Sequence, residues 1–567
     1  MVDLEGMITW ISEGKSNSFN TVRQGFSMKS PALHENVTRR GMVGRSLASA
    51  AIMTLPAVGA LGREPQDLDN AVQLVKARKK LAHQPRPIIL DDDGDIVYDD
   101  QTLDGREAFL ALRMHAARKA KIKSVAWCIM WAIAVKGKNP KRYWQMQLED
   151  TLFQDNLSDP THAVAEFGRA NNMEIFGSLR MNDCHDAFGM PFNKLVYPLK
   201  VEHPELLIGT EQQRGVLEDG LGAAMWSGLD YAFEQVREDR LRWIERTVMR
   251  YDLDGVDMNF FRMPWVFRQG EEEKNMPLMT QFIRQARCRV DAAARRHGRP
   301  ILLGARVPGT IETCRRIGFD IETWLKEGLI DRLLTGGGYV CYSTPAEELV
   351  ALGHRYDVPV YPCINCPANF VLGADSLRGA ASNFWWAGAD GLYLWNFHYI
   401  PGIPQEGRGR PTIDSYVQHL PEIADPQRLK YLDKTFAVNQ RVWEQYQRAS
   451  AMPPLPLNLT TNPGGSTIPL RIGDDVATAH HMGRLRDATL QIQASGSVVN
   501  DVLAVAINGL PLQKVVAQPD GWLEMFLKPK AVRQGVNQLK LGIARRGESA
   551  VEPIVVEQVR VRVRYRA

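Results

Sequence analysis

The chain lacks an excess of charge of either sign. Its 69 lysines and arginines nearly balance 65 aspartates and glutamates, for a net charge of +4 over 567 residues. No long Lys/Arg stripe appears, which excludes nucleic acid as the main partner. It also lacks a long apolar run: the longest candidate, residues 47–58, is too short for a permanent membrane span. Cysteine is sparse, with seven residues scattered and odd in number, so no disulfide framework is read. Cys363 and Cys366 form a C-x-x-C, but no second pair matches it, and neither a metal site nor a cofactor is expected. A metal among Asp183, His185 and Asp186 is conceivable, yet no ligand spacing compels one. A Gly-rich phosphate turn after the first strand is missing too; Asp91 to Asp95 stand there instead. That argues against an open dinucleotide-binding sheet.

What is present is ordinary globular composition, 44% hydrophobic and 24% charged, at a length that implies more than one domain. The N-terminus reads as an address. Thr38-Arg39-Arg40-Gly41 precedes the Ala-rich run 47–58, and Ala57-Val58-Gly59-Ala60 offers small residues for cleavage. Residues 1–60 are thus expected to be a twin-arginine-type export signal, with the mature protein periplasmic or secreted and without a membrane span. A tail with a short buried helix is the plainer alternative.

Eight strand-like segments follow, at residues 86–90, 124–129, 174–180, 254–262, 301–306, 330–334, 358–364 and 391–395, most separated by helical patterns. Strand and helix in this alternation imply right-handed crossovers and a parallel sheet. Eight units over about 310 residues fit a closed (β/α)8 barrel with insertions. Residues 61–450 are assigned to it, with a closing helix expected over 429–447. The longest insertion, 188–230, holds prolines and aromatics and is expected to be an ordered substrate wall. Residues 451–464 read as a Pro/Gly-rich linker. From 465 to 567 short alternating segments and the Asn508-Gly509 turn predict an antiparallel β-sandwich.

In such a barrel the reactive groups sit at the C-terminal ends of the strands. In the fourth segment Asp257 and Asn259 share one face by strand alternation. The other strand ends supply Trp127, Arg180, Asn182, Asp183, His185, Asp186, Arg262, Arg306, Asn365, Trp395, Asn396 and His398. Carboxylates give acid and base, aromatic faces stack on sugar rings, and amides bond hydroxyls, so a carbohydrate is the expected substrate. Asp257 is read as the ionised carboxylate, with Arg180, Arg262 or Arg306 holding its pKa down. Asp183 is read as the acid, Asp186 as its close rival, and His185 as orienting either or acting as acid itself. The plain alternatives are a structural Asp257–Arg pair, a backbone-bonded His185, tryptophans in the core and Asp91–Asp95 as a turn and helix cap. Three strand-end arginines exceed what a neutral sugar needs and point to an acidic glycan, uronate-containing or sulfated. Neutralising the aspartates is their competing use.

The barrel region resembles the large bacterial group of glycosyl-hydrolase-like (β/α)8 proteins. The resemblance rests on Asp93-Gly94-Asp95, Leu179-Arg180-Met181-Asn182-Asp183, Tyr251 to Asp257 and Gly388 to Phe397, and spans roughly residues 85–450. It implies a glycoside hydrolase. The fourth strand is also similar to the chitinase pattern D-x-x-D-x-D-x-E, matched by Asp254 and Asp257. Asn259 and Phe261 replace its later acids, so the chitinase mechanism is not implied. The paired glutamates of the large retaining clan are absent as well. These departures keep open a non-catalytic glycan-binding protein on a degenerate barrel, and a lyase or metal-assisted hydrolase.

Overall fold

The computed structural model describes residues 71–92, 105–129, 160–188, 197–217, 220–261, 263–336, 344–365, 373–395, 397, 417–438, 448–451, 453–459, 465–496, 501–512, 515–516, 522–547 and 553–566. The expected leader, residues 1–60, lies outside them. Eight parallel strands close into a barrel in sequence order: β1 Ile88–Asp92, β2 Ser124–Ile129, β3 Glu174–Arg180, β4 Gly255–Asn259, β5 Leu302–Val307, β6 Arg332–Thr335, β7 Val360–Asn365 and β8 Leu392–Trp395. β8 returns to β1 through Ile89 opposite Tyr393. Each strand lies within two or three residues of its expected position, because β-branched and apolar runs bounded by polar turns are fully buried strands.

Helices between strands cover the outside of the ring. The helix Glu234–Arg250 buries Val236, Leu241, Trp243, Ile244 and Val248 on one face, spaced three, four and seven apart. The helix Glu272–His297 pairs with it and ends at Gly298, whose φ of 63° is the left-handed conformation a helix C-terminus favours. Among the described residues, no helix is long and apolar enough to cross a membrane.

The C-terminal region forms two antiparallel sheets. One runs β10 (Leu457–Asn458), β18 (Val555–Tyr565), β12 (Leu485–Ser495), β16 (Trp522–Phe526), with β9 (Lys434–Ala437) also on β18. The other runs β11 (Ser466–Ile472), β17 (Gly535–Arg545), β13 (Val502–Ile507), β14 (Leu510–Pro511), with β15 (Val515–Val516) on β13. Between the sheets lie Ile468, Leu490, Ile492, Ile507, Leu539, Val559 and Val561, all essentially inaccessible.

Here the structure corrects one expectation. The helix expected over 429–447 is not formed at 434–437, where the chain is strand β9 instead. Thr435, Phe436 and Ala437 pair with Arg562, Val561 and Arg560 of β18. The partner strand presents a free edge and a buried slot for Phe436, and tertiary pairing overrides a marginal helical pattern. The sandwich therefore begins upstream of the linker.

β9 also joins the two halves. The barrel helix Ala374–Trp386 lies so close to it that a Cβ on Gly379 would stand 2.1 Å from the Thr435 carbonyl oxygen. Lys434 is fully buried with Nζ 2.9 Å from Asp474, and Ser382 on the helix donates to the same carboxylate at 2.5 Å. Replacing Gly379 with alanine is expected to force barrel and sandwich apart and to lower the unfolding midpoint. Urea unfolding followed at the tryptophans checks this; an unchanged midpoint would mean that the junction is not tightly packed.

Candidate functional site

The barrel interior holds several charged and polar side chains, and alternation decides which residues enter it. In β3, Phe176, Ser178 and Arg180 face in; in β4, Gly255, Asp257 and Asn259; in β5, Leu302, Gly304 and Arg306, as the register of these three strands requires. At the N-terminal end Arg86 donates to both oxygens of Glu174 at 2.8 Å, and the Ser124 hydroxyl donates to the same carboxylate at 2.7 Å.

The middle level holds Asp257. Arg332 on β6 grips it with two parallel hydrogen bonds, Nε to Oδ1 at 2.9 Å and Nη2 to Oδ2. The guanidinium lies flat on the Phe176 ring, 3.3 Å from its centroid. Side-chain exposures are 0% for Asp257 and 1% for Arg332, so the pair is sealed inside the barrel. Gly304 makes room for it: a Cβ there would lie 2.1 Å from Asp257 Oδ1 and 2.9 Å from Arg332 Cγ. This geometry corrects the reading of Asp257 as a carboxylate at the mouth. It sits one level below the strand end, and its arginine is Arg332, not Arg180 or Arg306. Substituting Gly304 with alanine is expected to cost about 1–3 kcal/mol by overpacking against that pair. Denaturant titration would measure it, and a cost near zero would show that the pair yields easily.

The level at the C-terminal ends collects residues from six strands. Arg180, Asn259 and Arg306 stand side by side on β3, β4 and β5. Arg306 is fully buried at the centre, its guanidinium carbon 4.9 Å from the Trp395 ring centroid and 5.5 Å from that of Tyr393. Its Nη2 lies 3.6 Å from Cys363 Sγ. Burial pushes the Cys363 thiol up to about 11, against the pull of Arg306, so it stays protonated and is a poor metal ligand. Asn259 Nδ2 donates to Ser178 Oγ at 3.2 Å, while its Oδ1 is buried with no partner among the described residues. Asp91 on β1 accepts from the Tyr393 hydroxyl at 2.6 Å. Burial, then the neighbouring Asp91, push that hydroxyl well above the usual tyrosine range, so it remains a donor.

Beyond β3 the chain turns through Asn182, Asp183 and a short helical turn, His185–Phe188. Arg180 Nη1 donates to Asp183 Oδ2 at 2.9 Å, and His185 Nδ1 lies 2.8 and 3.0 Å from the two carboxylate oxygens. Burial alone would raise the Asp183 pKa, but His185 and Arg180 outweigh it and hold the carboxyl well below the ordinary range. Asp183 is therefore ionised, which corrects its reading as the proton donor. The carboxylate instead fixes the His185 ring, as carboxylates orient imidazoles in acid/base dyads.

Several other expected site residues are structural. Asp186 accepts from Lys200 Nζ at 2.9 Å and from Ser227 Oγ at 2.5 Å, so it clips the long insertion to the end of β3 rather than competing as the acid. Asn182 accepts from the Leu229 amide at 2.8 Å and donates to the Leu229 and Trp265 carbonyls, which fastens the same insertion. Trp127 faces the helices: its Nε1 donates to Thr161 Oγ1 at 3.1 Å and its ring meets Phe109 edge-on. It belongs to the core, not to a sugar platform. Trp395 is at the inner layer, 1% exposed and stacked with Arg306. Arg262, Asn396 and His398, and the side chain of Asn365, lie outside the described residues. Sequence reasoning missed Asp91, Tyr393 and Arg332. Asp91 carried a signal, since Ile89-Leu90-Asp91 alternates and places Asp91 on the inner face with Ile89.

No family model matches the chain, and no curated protein does. Solved structures do. They include a cycloisomaltooligosaccharide glucanotransferase from Paenibacillus sp., at 11% identity and TM-score 0.31, over 84% of this chain and 57% of that one. The GH36 alpha-galactosidase AgaA from Geobacillus stearothermophilus matches at 11% identity and TM-score 0.34, over 82% of this chain and 59% of its own. The alpha-amylase from Geobacillus thermoleovorans matches at 11% identity and TM-score 0.36, over 80% of this chain and 98% of its own. The chain thus spans under two thirds of the length of the first two. Similarity at this level carries no argument about activity or substrate, and the strand pairing itself establishes the closed eight-stranded parallel barrel followed by an antiparallel sandwich.

Proposed function

We propose that the protein is an exported glycoside hydrolase acting on an anionic oligo- or polysaccharide at the C-terminal mouth of its barrel. The observation that carries this reading is the Arg180–Asp183–His185 cluster at the end of β3, which couples an ionised carboxylate to an imidazole. His185 exchanges the proton with the leaving oxygen or the attacking water, and Asp183 holds the ring and balances the imidazolium. Hydrolysis usually employs a second carboxyl across the scissile bond, and Asp91, on β1 and tied to Tyr393, is our candidate for it. Arg180 and Arg306, at the C-terminal ends of β3 and β5, add positive charge beneath the mouth, which favours a carboxylate or sulfate on the substrate. The paired arginines and small-residue site before residue 61 support export.

The test is release of reducing sugars from neutral and anionic polysaccharides by the purified mature chain, beside its His185→Ala variant. Release from an anionic polymer, lost in the variant, is expected. A new ultraviolet-absorbing double bond in the product would indicate a lyase instead. A second reading, a glycan-binding protein without catalysis, is favoured by one observation: Asp257, the acid of the fourth strand, is spent in a sealed ion pair. Glycan binding without any product would establish that reading and end the first.

A further inference from the structure

The outer face of the sandwich sheet β18–β12–β16 carries side chains that the barrel chemistry does not use. In β16 the pattern alternates strictly: Leu523 and Met525 enter the core, while Trp522, Glu524 and Phe526 face out. Phe526 is 82% exposed, the most exposed of the large hydrophobic side chains among the described residues. Burying such a ring is favourable, so a bare phenylalanine on the open face of the sheet's terminal strand invites a cover. Its row continues through Thr489 of β12 to Arg562 of β18. The next row runs Glu524, Gln491, Arg560 in the same register.

The charges of these two rows are unequally satisfied. Arg560 lies over the Trp522 ring, 4.3 Å from its centroid, and its Nε donates to Gln491 Oε1 at 2.7 Å. Gln491 in turn donates to Glu524, so the second row is a closed relay from guanidinium to carboxylate. The Arg562 side chain, two residues along the same face, has no ion pair or hydrogen bond among the described residues and stands beside the like charge of Arg560. Two strand spacings, roughly 10 Å, separate Phe526 from Arg562, with only the small Thr489 between them. The result is a shallow trough with an aromatic wall, a hydroxyl floor and an uncompensated guanidinium on the far side.

We propose that this trough is a second glycan-binding site, separate from the barrel mouth, that takes a uronate or sulfated unit of a polysaccharide. The Phe526 ring covers the apolar face of the sugar, Thr489 meets a hydroxyl, and Arg562 takes the carboxylate or sulfate in a bidentate pair. Charge complementarity selects an anionic chain over a neutral one, because a neutral sugar leaves Arg562 as it is. The ligand class is the one proposed for the barrel, and the site adds to that reading without depending on catalysis.

The experiment is affinity electrophoresis of the full mature chain through gels containing polygalacturonate or neutral dextran. The wild type, His185→Ala and the double variant F526A with Arg562→Gln are compared. Retardation by polygalacturonate and not by dextran is expected, weakening as salt screens the guanidinium. The double variant is expected to bind at least about tenfold more weakly, the loss of one charge-assisted bidentate contact. His185→Ala is expected to keep its retardation. Phe526 is exposed and Arg562 half-buried, and an unchanged unfolding midpoint shows that the double variant is folded. Full retardation of a folded double variant would overturn the site without touching the barrel reading, and no retardation of the wild type would overturn the site as well. Sedimentation velocity supplies the other occupant as an outcome: a concentration-dependent dimer that the double variant abolishes would make this face a protein interface and refute the glycan site.

Discussion

Replacing Arg332 with methionine is expected to destabilise the chain by about 3–5 kcal/mol, the cost of stranding a buried carboxylate. Asp257 has no other arginine or lysine within bonding distance among the described residues, and water does not reach it at 0% exposure. The loss is a property of the single substitution, not of the pair. Replacing both members together, Asp257→Leu with Arg332→Met, removes the charge and its partner at once. That change is expected to recover most of the stability, because two charges taken out of water have little net gain to lose. A double-mutant cycle in urea measures the difference. If the Arg332 variant lost less than about 1 kcal/mol, Asp257 would have to be reaching solvent or a proton, and its place at the mouth would be reopened. If the double variant stayed as unstable as the single one, packing around Phe176 and Gly304, not charge, would be what the pair maintains.

The position of that pair also explains what the sequence could and could not show. Alternation by two correctly placed Asp257 and Asn259 on one face, since side-chain direction in a strand follows from the backbone alone. It carried no information on depth. A barrel interior is stacked in layers, and the two residues fall in different ones: Asn259 at the mouth, Asp257 beneath it. Which layer is sealed depends on the residues that arrive from other strands, and Arg332 comes from 75 residues away. The same limit hides the glycine's purpose, for Gly304 matters only because Asp257 is its neighbour across β4 and β5. Trp127 was misplaced for a different reason. Tryptophan suits either a sugar platform or a helix-packed core, and in Ser124–Ile129 the small residues Ala126 and Cys128 are the ones that face in, leaving Trp127 to the helices. Strand β9 escaped because its pairing partner, β18, lies more than 100 residues further on. The eight-strand order, the insertion after β3 and the sandwich were legible, since each rests on local periodicity and turn chemistry.

Substituting Asp183 with asparagine is expected to lower turnover by about 100- to 10,000-fold, the range lost when a general acid/base group is disabled. The change keeps the size of the side chain and removes its charge. Arg180 loses its ion-pair partner and His185 loses the carboxylate that fixes its ring. Imidazolium without that negative neighbour gives up its proton more readily, so the limb of the pH–rate profile set by His185 moves to lower pH. A purely structural role for Asp183 would lower activity without moving that limb, so the profile separates the two. Stability follows a second sign. The folded-state pKa of Asp183 is depressed, so its contribution is present above the ordinary carboxylate value and is lost as pH falls through the depressed one. The part that comes from His185 acts only while the imidazole is protonated, so it is lost again as pH rises and His185 gives up its proton. The stability gap between wild type and variant is therefore expected to be widest between those two titrations and to close in acid. A gap that kept widening below the ordinary carboxylate range would mean that Asp183 is protonated in the folded chain, and with that the ionised carboxylate on which the proposed chemistry depends would be gone.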